Sequence, residues 1–258
     1  NKEKIELFID KSVNENPWLS ETLVRHAMQA IDEQFFSVEA WEVFYENHPG
    51  QVATSKKVGI VLAGNLPAVG LHDVLMVLAS GNVAHLKLSS QDKALMQLYV
   101  LAMQSFDSAV PVYMIDRLQG MDAVIATGSD FSGGYFAHYF STIPHIIRKN
   151  RSSLAVLKGN ETVVDFKGLA QDIFTYYGLG CRNVSKVFVP KGYQFKTMIE
   201  AFQIQLPYLE NNKYQNNLEY QKAVMLLNKD PFIDAGFFFM KENASPFSSV
   251  SVLHYHQY

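Results

Sequence analysis

Lys57-Val58-Gly59-Ile60-Val61-Leu62-Ala63 runs directly into Gly64-Asn65-Leu66-Pro67. The first segment is a short, nearly continuous apolar run, and the second is a turn. That is the signature of a strand covered on both faces, as in a parallel sheet. The same punctuation repeats downstream. Residues 68–80 are almost wholly apolar and read as a helix that stops at Ser80-Gly81-Asn82, where glycine suits a left-handed C-cap. Val83-Ala84-His85-Leu86-Lys87-Leu88 is a second strand, and Ser89-Ser90 is placed to cap a helix over residues 91–106. Val112-Tyr113-Met114-Ile115 reads as a third strand. Asp122-Ala123-Val124-Ile125-Ala126 reads as a fourth, entering Thr127-Gly128-Ser129-Asp130 and then a helix over residues 131–140. Strands alternating with helices in this way specify a doubly wound α/β unit with right-handed crossovers.

Upstream, residues 2–47 read as helical. Ile5, Leu7, Phe8, Ile9 and Val13 form the apolar side of the first helix. Pro17 is expected to open the second, which carries Leu23, Val24, Ala27 and Ile31 at helical spacing. Ser37 is the expected N-cap of a short third helix, and His48-Pro49-Gly50 breaks the pattern. From about residue 150 a second α/β unit is expected. It has strands at 152–158 and 186–189, a helix over 165–178, helices near 193–204 and 214–228, and late strands at 235–240 and 250–255.

Composition narrows the function. With 258 residues the chain is long enough for one large or two modest domains, and 48% hydrophobic against 18% charged residues describes a well-packed protein. A net charge of −3 gives no footprint for nucleic acid. No apolar run approaches the ~18 residues of a membrane span, and no signal peptide is visible. A single cysteine excludes an internal disulfide framework and suits a reducing compartment, so a cytoplasmic protein is expected. The histidines have no metal-ligand spacing. The start at Asn1 without methionine points to a trimmed chain or a piece of a longer one.

The single cysteine lies in Tyr176-Tyr177-Gly178-Leu179-Gly180-Cys181-Arg182-Asn183-Val184-Ser185, on a glycine-flanked turn between a helix and the strand Lys186-Val187-Phe188-Val189. Lone cysteines are commonly buried packing residues. A thiol on such a turn is also well placed to act as a nucleophile.

The order of these motifs resembles the aldehyde dehydrogenase superfamily, and within it the acyl-CoA reductase branch of the LuxC type, which supplies fatty aldehyde in bioluminescence. The likeness runs over most of residues 57–255. Ala63-Gly64-Asn65-Leu66-Pro67 is similar to the family's strand-to-turn motif, whose asparagine amide donates to the oxyanion. By that resemblance Asn65 is an oxyanion donor, although an ordinary turn asparagine has the same local pattern. Ser80-Gly81-Asn82-Val83-Ala84-His85-Leu86-Lys87 is similar to the strand ending in a lysine that bonds the adenosine ribose of the nicotinamide cofactor, which implies the role for Lys87 and places Ser89 near the ribose or its phosphate. Ala126-Thr127-Gly128-Ser129 resembles the segment that passes the pyrophosphate at a helix N-terminus, implying cofactor contacts from Gly128 and Ser129. Gly178-Leu179-Gly180-Cys181 matches the nucleophile turn. It implies that Cys181 attacks a thioester, with its own N–H sharing the oxyanion with Asn65. Arg182 could assist the thiolate or simply be exposed.

The resemblance therefore implies two Rossmann-type parallel-sheet units with an N-terminal helical layer. Residues 1–150 would carry the helices and the cofactor domain, and residues 151–258 the catalytic domain with the cysteine. It also implies reduction of an acyl-CoA or other acyl thioester to the aldehyde with NADPH or alternatively NADH, and a homo-oligomer or reductase complex, while the apolar and aromatic content suggests a long acyl chain.

Two departures matter. Val156 falls where hydrolytic members carry their glutamate base, with Glu161 nearby as a weaker substitute. Ser245-Pro246-Phe247 fills the segment where a second glutamate contacts the nicotinamide ribose. The chain also ends soon after that motif. An NAD(P)-dependent aldehyde dehydrogenase working oxidatively, or a non-catalytic nucleotide-binding relative, remain the alternatives.

Overall fold

The computed structural model of the chain describes residues 2–48 and 54–258. Pro49 and Gly50, expected to end the N-terminal helical pattern, lie outside the described residues. The chain divides into two compact units, residues 1–150 and 151–258.

The first unit begins with helices α1 (Lys2–Glu15), α2 (Glu21–Phe35) and α3 (Val38–Asn47). It continues β1 (Lys57–Val61), α4 (Leu71–Ala79), β2 (Val83–Lys87), α5 (Lys93–Phe106), β3 (Val112–Met114), β4 (Ala123–Thr127), α6 (Asp130–Tyr139) and β5 (His145–Arg148). The five strands form one sheet in the order β3-β2-β1-β4-β5, parallel throughout. β1 is central, so Val58, Gly59 and Ile60 are buried in succession, which is why this strand reads as a continuous apolar run. A Cβ added at Gly59 would stand 2.7 Å from Leu118 Cδ2, so that side chain would have to shift. The core around β1 joins Leu86, Val74 and Leu95 to Ile9 of α1 and Val24 of α2, so these two helices pack as a layer on this unit, whereas α3 buries no residue. Burial of these side chains contributes about 1.5–3 kcal/mol each.

Several boundaries differ from expectation for identifiable reasons. α2 starts at Glu21, not Pro17, because the Ser20 hydroxyl accepts the Leu23 N–H and caps it there. Leu7, assigned to the apolar side of α1, is half-exposed. α4 starts three residues later than its apolar run because Ala68 has a left-handed φ of 48°. Ser89 and Ser90 do not cap α5. Ser89 Oγ accepts from Gln91 N, while the Lys93 and Ala94 N–H groups that open α5 both donate to Glu15 Oε2 at 2.8 Å. β5 is a short edge strand that the apolar pattern does not reveal: His145 and Ile146 are exposed.

The second unit consists of β6 (Ser153–Val156), α7 (Val163–Phe174), a tight turn over Thr175–Gly178, β7 (Val184–Val189), α8 (Lys196–Phe202), a 3-10 segment over Gln203–Glu210, α9 (Asn212–Asn228), β8 (Ile233–Asp234), β9 (Phe239–Glu242) and β10 (Val252–Gln257). Its sheet has the order β6-β7-β10-β9-β8, parallel except for β8. A reciprocal capping box between Thr162 and Asp165 starts α7. Phe174, Phe202, Phe237 and Phe238 form an aromatic core, with Phe174 and Phe238 edge to face at 5.2 Å. The late strand begins at Phe239 and not at Ala235, because Gly236 turns the chain with a φ of 85° and Ala235 N–H bonds the Phe238 carbonyl.

Candidate functional site

In the first unit the parallel register sets Val61 beside Lys87 on one side and beside Ala126 on the other. The carboxyl ends of β1, β2 and β4 therefore lie together. Asn65, Lys87, Ser89, Gly128 and Ser129 all follow from these three ends. The strand order reverses between β1 and β4, and open parallel sheets bind ligands at such a switch point.

The turn that carries Asn65 is held on both flanks. Asn16, buried at the end of α1, donates its amide to the Gly64 carbonyl at 3.1 Å. Ser89 packs so closely on Gly64 that a Cβ there would overlap its hydroxyl. Beyond Pro67, the Ala68 N–H donates to Asp92 Oδ2 at 2.8 Å and is thereby kept in its left-handed conformation. Asp92 is 1% exposed, and its Oδ1 has no hydrogen-bond partner among the described residues. Burial, with Glu15 adding repulsion, pushes its carboxyl up to about 8.

Lys87 is exposed at the end of β2 and is in no ion pair among the described residues. Its ammonium is therefore available to a ligand. Gly128 N–H bonds the Arg148 carbonyl, and Arg148 pairs through its guanidinium with the buried Asp73 on α4. A Cβ on Gly128 would meet Ser132 at 2.9 Å. Ser129 caps α6, accepting the Ser132 N–H at 3.2 Å. The strand end, glycine turn and helix N-terminus expected from the sequence are thus present, an arrangement that can hold an anion.

Cys181 lies in the second unit, in the turn before β7, and is exposed. Packing inside the core is therefore not its role. The Asn183 N–H bonds the Gly180 carbonyl at 3.1 Å, which makes Cys181 and Arg182 the two corner residues of that turn. The Cys181 N–H has no partner among the described residues. Arg182 is exposed and joins no ion pair among the described residues. Upstream, Tyr176, Tyr177 and Gly178 take left-handed φ values of 52°, 59° and 76° in succession. For two tyrosines this costs about 1–2 kcal/mol each. The strain is held by Tyr208, whose hydroxyl accepts the Tyr176 N–H, and by the tilted contact of the buried Tyr177 ring with that of Tyr208 at 5.0 Å.

β6 begins beside this turn, with Ser153 N–H on the Asn183 carbonyl, and it carries no carboxylate. Val156 ends the strand with its side chain exposed. Glu161 accepts the Lys158 and Gly159 N–H groups and the Tyr193 hydroxyl, which ties it into its own loop. The segment lacking the second family carboxylate is pinned carbonyl by carbonyl. Ala244 accepts from the buried Lys186, Ser245 from His254 Nδ1, and Pro246 from Ser185 and Ser152. The Ser245 hydroxyl is engaged with Phe247 backbone.

No family model matches the sequence, and no curated protein matches it. Solved structures do. PutA of Anabaena variabilis, of aldehyde dehydrogenase type, matches over 99% of this chain and 66% of its own, with a TM-score of 0.73 and 13% identity. The fold is that of the aldehyde dehydrogenases. The indole-3-acetaldehyde dehydrogenase AldA of Pseudomonas syringae matches over 79% of this chain and 51% of its own, at a TM-score of 0.62 and 13% identity. AldC of the same organism, solved with NAD+ and octanal, matches over 79% and 53% at a TM-score of 0.60 and 12% identity. The chain spans about half the length of most of these aldehyde dehydrogenases.

Two residues that hold these turns were not visible in the sequence pattern: Asn16 and Asp92. Asn16 and Asp92 act across 48 and 24 residues, beyond any local spacing rule. Asn183, two residues after the cysteine, carried a detectable signal, since Asn favours side-chain bonding to nearby backbone.

Proposed function

We propose that the protein reduces an acyl-CoA to the aldehyde through an acyl thioester on Cys181. The observation that carries this reading is the Cys181 turn itself. The thiol is exposed at a turn corner, its N–H is unpartnered among the described residues, and the strand beside it offers no carboxylate to activate water. Such a thiol can attack a carbonyl and its N–H can receive the developing oxyanion. Without a base for water, the acyl-enzyme persists long enough to be reduced.

In the first half-reaction the Cys181 sulfur adds to the thioester carbonyl. The carbon–sulfur bond to CoA then breaks, and CoA leaves as the thiol, taking the proton that Cys181 gave up. Asn65 is the second oxyanion donor in this reading. A nicotinamide cofactor, when bound, supplies the hydride that converts the acyl group to aldehyde, and the Cys181 sulfur leaves as it forms. Lys87, Ser89, Gly128 and Ser129 would hold that cofactor, taken as NADPH with NADH the alternative. Long-chain acyl groups, a homo-oligomer or reductase complex, and a cytoplasmic setting belong to the same proposal.

The test is intact mass after mixing protein with a long-chain acyl-CoA and no cofactor. An acyl adduct that maps to Cys181 and is released by neutral hydroxylamine supports the reading. Its absence, alongside reduction of NAD+ or NADP+ on addition of an aldehyde, would show an oxidative enzyme instead.

A further inference from the structure

Asn183 makes more hydrogen bonds through its side chain than any other residue in the nucleophile turn. Its Nδ2 donates to the Asp172 and Thr175 carbonyls, both at 2.9 Å, and to Ile173 O at 3.5 Å. Its Oδ1 accepts the Gly180 N–H at 2.8 Å, while its own N–H bonds the Gly180 carbonyl. The peptide groups on both sides of Gly180 are thus clasped by one residue, which is fastened in turn to the last carbonyls of α7. α7 ends without a C-cap glycine, and the chain then enters three left-handed residues. A carboxamide is the side chain that can meet carbonyls and an N–H at once. Alanine could serve as a spacer there but would bond nothing.

We propose that Asn183 is a positioning residue for acyl transfer: by clasping Gly180 it fixes the direction of the Cys181 N–H and sulfur toward an incoming thioester carbonyl. The role rests on the reading of Cys181 as the nucleophile and adds to it a determinant outside the reacting atoms. Tyr208 braces the same turn at Tyr176, and no bond of its hydroxyl reaches Gly180. It therefore serves as the control for loosening alone.

The experiment compares two reactions of one thiol. Acylation by a long-chain acyl-CoA needs an oriented N–H at the carbonyl oxygen, whereas alkylation by iodoacetamide does not. Both depend equally on the thiolate fraction, so their rate ratio reports positioning. Intact protein is used, and both products are mapped to Cys181. Asn183→Ala is expected to lower the ratio about 10- to 100-fold, the scale on which small displacements act. Tyr208→Phe is expected to lower the melting temperature and leave the ratio within about 2-fold. Asn183→Asp keeps the acceptor for Gly180 but faces three carbonyls as a carboxylate. Its ratio should be low at pH 8 and recover toward pH 5.5, where a protonated carboxyl regains one donor; it gives the reading if the alanine variant does not fold. An unchanged ratio in both Asn183 variants overturns the proposal, as does an equal fall in Tyr208→Phe. Wild-type protein that alkylates but never acylates overturns the nucleophile reading, and the positioning role with it.

Discussion

Cys181 and Asn65 separate cleanly as targets because one would supply the bond and the other only stabilisation. Cys181→Ala is expected to abolish the acyl adduct while leaving the melting temperature nearly unchanged, because the side chain is exposed and packs against no core. Mass spectrometry and thermal melts read the two effects, and a large loss of stability would mark Cys181 as structural. Asn65→Ala is expected to slow acylation by about 10²–10³, the value of one oriented oxyanion donor. An unchanged acylation rate would remove it from the chemistry and leave it an ordinary turn residue. Gly178 offers a backbone test. At a φ of 76°, with an added Cβ only 3.3 Å from the Ile173 carbonyl, Gly178→Ala should cost about 1–2 kcal/mol in denaturant unfolding.

Asp92 belongs to the element scale, because it links the start of α5 to the turn after β1. Its folded carboxyl, raised to about 8, stands far above the usual 3.8. The groups facing it are Glu15 of α1, the Ala68 N–H and Tyr99 of α5, with Asp32 of α2 acting on Tyr99. The sign follows from proton binding: between pH 4 and 8 the folded state holds a proton that the unfolded state has lost. Stability from this group is thus fully present below about pH 4, declines as pH rises, and is gone above about pH 8. Asp92→Asn should flatten that decline, since its oxygen can still accept the Ala68 N–H without a charge. Melting temperatures from pH 5 to 9 check this, and equal slopes in both proteins would show that Asp92 is ionised without penalty. The same region shows what a linear sequence reveals. The strand at 57–61 was legible because burial on both faces makes an apolar run, and the strand at 83–87 because the buried Ala84 and Leu86 alternate along it. The start of α5 was not, because Ser89 and Ser90 have the composition of a cap while Glu15 supplies it from another helix. Candidate site residues were legible only where a motif is local: the glycine turn at Cys181 was, but Asn16 beneath Gly64 was not.

At the scale of the whole molecule the proposed roles are divided between two compact units. Lys87, Ser89, Gly128 and Ser129 lie in residues 1–150, and Cys181 with Asn183 in residues 151–258. Each constellation is built by its own sheet: the register of β1 with β2 and β4 fixes the first, and the α7-to-β7 turn fixes the second. Cofactor binding and cofactor-free acylation are separate steps, and Lys87 is proposed for the first alone. Lys87→Ala should therefore weaken NADPH binding about 10-fold or more, the loss of a charge-assisted hydrogen bond, and leave cofactor-free acylation of Cys181 within about 2-fold. Fluorescence titration of the cofactor and the acylation time course are run on the same variant. A Lys87→Ala protein that binds cofactor normally would remove Lys87 from the cofactor site. One that also acylates slowly would show that Lys87 acts on acyl transfer as well as on cofactor binding.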